Sequence, residues 1–149
     1  MKAFLLALGV SAVSMSCAEP KYAMASDAST KNSGEHEFGC DAKFRNGDCA
    51  ALSWEKFPTE ENFGSFVFKV YRVNPGDGSP KFEDLPGAFV VLWMPAMGHG
   101  SSPVSVEKID TGTYRASNVF FSMHGEWEIR LQAKEGNSVL DQAVLRATF

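Results

Sequence analysis

The stretch Glu126-Trp-Glu-Ile-Arg-Leu-Gln-Ala133 alternates without a break. Trp127, Ile129, Leu131 and Ala133 share one face of an extended chain, and Glu126, Glu128, Arg130 and Gln132 share the other. Period two with one apolar face is the pattern of a half-buried β-strand. Working outward, Glu135-Gly136-Asn137 reads as a turn, and Ala143, Leu145, Ala147 and Phe149 form the inner face of a last strand. Upstream, Phe66–Val73 (FVFKVYRV) is dense in β-branched and aromatic residues and ends in the turn formers Asn74-Pro-Gly-Asp-Gly78. Ala88–Met94 (AFVVLWM) follows Pro86-Gly87 and is stopped by Pro95, and Ser105–Ile109 and Thr113–Phe121 flank the tight turn Asp110-Thr111-Gly112. The segment from Cys40 to Asn62 reads as a capping loop with a helical turn near Ala50–Lys56. No long amphipathic helix and no internal repeat interrupts this text. About seven short strands at turn spacings near ten residues predict an all-β chain folded as a two-sheet antiparallel sandwich.

One local pattern points to the immunoglobulin-like type of sandwich. Asp110-x-Gly112-x-Tyr114-x-Ala116 resembles the tyrosine corner, in which Asp and Gly shape a bend and the Tyr hydroxyl returns to the backbone upstream. A plain hairpin with an exposed Tyr is the other reading. Ala116 stands where antibody domains carry the second cysteine of the inter-sheet disulfide, so that bridge is absent.

The amino terminus predicts export. Lys2 supplies a positive charge and Ala3–Val13 a short apolar core, too short for a membrane span and suited to a signal peptide. Two cleavage chemistries compete: lipidation of Cys17, preceded by small Ser16, or a cut after Ala18 at the small-x-small site Ser16-Cys17-Ala18. Residues 1–17 are thus signal and lipobox. Residues 18–38, rich in Ala, Ser, Lys and Glu and without apolar periodicity, form a flexible tether. Residues 39–149 form the sandwich. The expected location is the bacterial cell envelope or periplasm, with a lipid anchor as the only membrane contact. Cys40 and Cys49 remain as an even pair, which in an oxidising compartment reads as a disulfide closing DAKFRNGD with Asn46-Gly47 as its turn. A metal site of His36, Cys40 and Cys49 is the alternative, although the spacing is wrong for a zinc knuckle and a fourth ligand is lacking.

Composition narrows the function. Of 149 residues, 44% are hydrophobic, enough for one domain with a proper core. Without Lys2 the chain carries 13 basic against 18 acidic residues, and no Lys/Arg cluster, which argues against a nucleic-acid partner. The motifs of serine hydrolases and zinc peptidases are missing and only three histidines occur, so no catalytic reading recommends itself. What remains is a set of soft and borderline donors: Met94-Pro-Ala-Met97-Gly-His99-Gly100, Met123-His124, and Met24 in the tether. Thioether sulfur binds copper(I) well and hard ions badly, while imidazole suits copper in either oxidation state. Pro95 ends a strand, so Met97 and His99 lie in a loop and point the same way if it is extended, whereas adjacent Met123 and His124 point apart. Met97 and His99 with Met123 or His124 would join two loops at one end of the sandwich, and Met94 reads as core.

The residues Trp93-Met-Pro-Ala-Met-Gly-His-Gly100, then Gly112-x-Tyr114, then Phe121-x-Met123-x-Gly125-x-Trp127 resemble, in order, the YtkA-like family, whose relatives include FixH-type proteins of cytochrome oxidase assembly. The resemblance runs from about Gly87 to the end. It implies an exported or membrane-tethered immunoglobulin-like sandwich, a link with copper handling, and a copper-delivery or oxidase-assembly partner. Carried over residue by residue, it marks Met97, His99 and Met123.

Overall fold

The computed structural model describes residues 39–149, so the signal sequence, Cys17, the tether, Met24 and His36 lie outside the described residues. Within that range the chain forms ten strands and no helix. They are β1 (Ala42–Lys43), β2 (Cys49–Lys56), β3 (Gly64–Val73), β4 (Pro80–Phe82), β5 (Phe89–Met94), β6 (His99–Gly100), β7 (Ser105–Asp110), β8 (Thr113–Val119), β9 (Glu126–Glu135) and β10 (Ser138–Thr148). Seven of them run six residues or more, and β1, β4 and β6 are short additions of two or three residues. One sheet has the order β1-β2-β3-β8-β7 with β4 also on β3, and the other has the order β10-β9-β5-β6. Every pairing is antiparallel. The long strands therefore stand as β2-β3-β8-β7 against β5-β9-β10, which is the A-B-E-D against C-F-G arrangement of the constant-type immunoglobulin fold.

The alternating stretch behaves as its pattern requires. Trp127, Ile129, Leu131 and Ala133 are buried, and they meet Phe66, Phe68 and Val70 of β3, Val90 and Leu92 of β5, and Ala143 and Leu145 of β10 in one core. Each large apolar side chain buried there contributes about 1.5–3 kcal/mol relative to exposure.

Two expectations need correction. The helical turn near Ala50–Lys56 is instead β2, paired along its length with β3 (Ala50 with Val70, Leu52 with Phe68). Consecutive alanines blur the alternation in sequence, but Ala50 and Leu52 both face the core. Long-range pairing with an apolar partner outweighs alanine's helical preference. The tyrosine corner is also overturned, and so is the exposed-Tyr hairpin. Tyr114 opens β8 within the β7–β8 hairpin rather than at a crossing between sheets, and it is buried and stacked on Phe68. Its hydroxyl accepts the Leu85 N–H at 2.7 Å, pinning the connection that leads from β4 into β5. The hydroxyl does return to an upstream backbone, but to one 29 residues away.

Cys40 and Cys49 are bonded to each other, which removes both sulfurs from the alternative metal set. Their loop turns at Gly47, as Asn46-Gly47 suggests. It also ties the two sheets. Buried Asp48 accepts from Arg72 of β3 at 2.7 Å, and Asp141 of β10 accepts the backbone N–H groups of Arg45 and Asn46. This clamp sits at the end of the sandwich opposite the Met/His segments.

Candidate functional site

The opposite end is built by the β5–β6 hairpin and by the chain between β8 and β9. Pro95 stops β5, and the turn closes by the N–H groups of Met97 and Gly98 donating to the Met94 carbonyl. The chain then re-enters the sheet as β6, where His99 lies directly across from Met94 and Gly100 across from Trp93. Cross-strand partners share a face, so His99 and buried Met94 point to the same, inner side. The His99 ring meets the Trp127 ring edge-on at 6.3 Å between centroids. From the second segment, the Trp127 Nε1–H donates to the Met123 carbonyl at 3.0 Å. Fully buried Trp127 thus touches both halves of the proposed set.

Further packing holds this end together. Phe121 stacks on Phe149 at 3.6 Å and lies edge-on to Trp127 at 5.4 Å. Gly125 and Phe149 exchange both backbone hydrogen bonds, at 2.7 and 3.0 Å. Gly125 has φ +140°, a conformation L side chains rarely adopt, and a Cβ built there would lie 2.6 Å from the Met94 methyl. The glycine of the Phe121-x-Met123-x-Gly125-x-Trp127 pattern is therefore the place where one segment of the site rests on the other.

The four predicted residues divide. His99 and Met123 flank Trp127. Met97 sits in the turn, 59% exposed. His124 points to the loop between β2 and β3, where its Nε2 lies 3.3 Å from Glu60 in an exposed pair. Met123 and His124 lie in the bend before β9 and not on a strand, so the alternation of an extended chain does not apply to them. Sequence reading missed Met94 as a neighbour of the site, because its place opposite His99 needs a two-residue strand too short to be legible. It also missed Glu60, which no local signal connects to His124.

The donor chemistry fits a soft cation. His99 Nδ1 lies 3.1 Å from the Gly100 carbonyl, which can only accept. A neutral ring donating in that contact carries its proton on Nδ1 and leaves a lone pair on Nε2. Among the described residues no three His, Cys, Asp or Glu side chains gather as a metal site.

Residues 65–132 match the family model described as YtkA-like. This stretch is similar to the YtkA-like family. The match starts earlier than the motifs alone suggest, at β3, and stops within β9. It spans both site segments and leaves out the disulfide loop, β2 and β10. No curated protein and no solved structure matches the chain. The YtkA-like segment is thus the stretch that supplies Met94, Met97, His99, Met123 and Trp127.

Proposed function

We propose that the YtkA-like domain is a non-catalytic copper(I) carrier that holds its cargo at the Met/His end and passes it to a partner protein concerned with copper delivery or oxidase assembly. The reading rests on one observation: Trp127 packs against His99 of one segment and hydrogen-bonds the Met123 carbonyl of the other, so an imidazole and a thioether residue far apart in sequence share one anchor. Thioether and neutral imidazole are the donors that suit copper(I), and neither forms a disulfide in an oxidising compartment, where the chain's two sandwich cysteines are already paired. Export with a lipid anchor at Cys17 belongs to the same proposal, since a tethered carrier meets membrane-bound acceptors in two dimensions. The test is competition titration of the purified domain with copper(I) under reducing conditions, against the His99→Ala/Met123→Leu double variant. Tight binding lost in the variant is expected. Wild-type binding no tighter than about micromolar, or unchanged binding in the variant, sinks the proposal.

A second reading has an observation of its own. Phe57 and Phe63 are exposed at this same end, with Phe63 against the Phe120 ring at 5.5 Å, and an apolar rim of this kind suits a protein-interaction module that holds no metal. The same titration separates the two, because the module without metal predicts no copper(I) affinity in the wild type.

A further inference from the structure

Resting on the copper(I) reading, we infer that the buried thioether of Met94, and not the exposed thioether of Met97, is the second sulfur of the site. The sequence favours Met97, because Met94 follows Val91-Leu92-Trp93 and reads as core. The fold reverses that choice. Met94 is the last residue of β5, directly across from His99 on the same face of the hairpin. Its side chain is 6% exposed, and its methyl reaches Gly125, two residues beyond Met123. Met94 therefore stands beside both segments of the site, opposite His99 in the strand register and with its methyl against Gly125. Met97 does neither in any contact of the turn. Its backbone N–H caps the Met94 carbonyl while its side chain is 59% exposed.

The chemistry agrees with the geometry. Gly125 lays no side chain against the Met94 methyl, and a Cβ there would collide with it at 2.6 Å. A thioether buried among Trp127, Leu92 and their neighbours is shielded from water and from oxidants, whereas an exposed one is the first to become a sulfoxide and lose its softness. A soft monovalent cation suits thioether and imidazole donors, whereas a hard divalent ion prefers oxygen ligands.

Leucine conserves methionine's volume and deletes its sulfur, so Met94→Leu and Met97→Leu form a matched pair. Each is titrated with copper(I) beside the wild type, and the sulfur neighbours of the bound ion are counted by X-ray absorption. Met94→Leu is expected to bind at least about tenfold more weakly, a loss typical of removing even a supporting group, and to show one sulfur fewer. Met97→Leu is expected to match the wild type in both. In the unmodified protein labelled at its methionine methyls, copper(I) should shift the Met94 and Met123 resonances and leave Met97 in place, which settles the question even if Met94→Leu folds poorly. A Met97 resonance that shifts while Met94 stays still, or a sulfur lost only in Met97→Leu, overturns the assignment. Failure of the wild type to bind copper(I) removes the carrier reading itself, which is a different result from binding that ignores Met94.

Discussion

Replacing Gly125 by alanine tests the architecture of the site without replacing a proposed donor. Gly125 sits at φ +140°, exchanges two backbone hydrogen bonds with Phe149, and leaves 2.6 Å between a prospective Cβ and the Met94 methyl. Two costs follow. Holding an L residue in that backbone region costs about 1–3 kcal/mol. The methyl clash falls on the far end of a flexible side chain, so Met94 relieves it by leaving its rotamer, at about 1 kcal/mol. Gly125→Ala should therefore destabilise the domain by about 2–4 kcal/mol and lower Tm by roughly 8–16 °C, taking about 4 °C per kcal/mol for a domain of this size. Urea and thermal unfolding followed by circular dichroism read this directly. A double-mutant cycle separates the terms: in a Met94→Ala background the clash is gone, so the added cost of Gly125→Ala should shrink by about 1 kcal/mol. A Gly125→Ala domain within about 0.5 kcal/mol of wild type would refute the strained contact, because surface substitutions away from such features fall in that range. A cost that does not shrink in the Met94→Ala background would show that Met94 is not what the methyl meets.

The clamp at the other end makes a pH prediction. Burial alone raises the Asp141 pKa, but N–H donors from Arg45, Asn46 and Gln142 and the Arg45 guanidinium outweigh it and hold the carboxyl below its ordinary value. A folded-state pKa below the unfolded one adds stability that is complete above the unfolded value, about 3.9, and is lost as pH falls through the folded one. Asp141→Asn should thus cost about 1–3 kcal/mol at neutral pH and progressively less below about pH 4, and Tm curves for the two proteins that stay parallel down to pH 2 would contradict this. For the amino terminus, a clickable fatty acid should label the wild type in cells and fail to label Cys17→Ala, and an unlabelled wild type released in soluble form would replace the anchor with cleavage after Ala18.

The copper proposal and the fold stand on different parts of the chain. The sandwich is carried by side chains that face inward at every second position of β3, β5, β9 and β10. The site uses residues at the ends of those strands and in the loops that join them, where sequence varies with least cost to the core. Trp127 belongs to both sets. It is a core residue by burial, and a site residue by its contacts with His99 and the Met123 carbonyl. For that reason the pattern Phe121-x-Met123-x-Gly125-x-Trp127 reads as one device: the aromatic anchors the loop, the glycine admits Met94, and the methionine is presented beside them.

Much of this was local and hence legible. The alternation from Trp127 to Ala133, the strands ending at Val73 and Met94, the turns at Gly47, Gly112 and Gly136, and the pairing of Cys40 with Cys49 each depend on residues close together in the chain, whose periodicity and turn chemistry act before any tertiary contact forms. The donor types at Met97, His99, Met123 and His124 were legible in the same way. What the chain could not announce was pairing at a distance. That Ala50–Lys56 is a strand depends on β3 lying beside it. That Tyr114 anchors Leu85 depends on a contact across 29 residues. That Met94 rather than Met97 stands with His99 depends on a two-residue strand and on the absent side chain of Gly125. Local sequence determined which elements form and which chemistry they carry. Only the packing of the two sheets decided which of those residues meet, because register and close approach are properties of partners and not of the segments themselves.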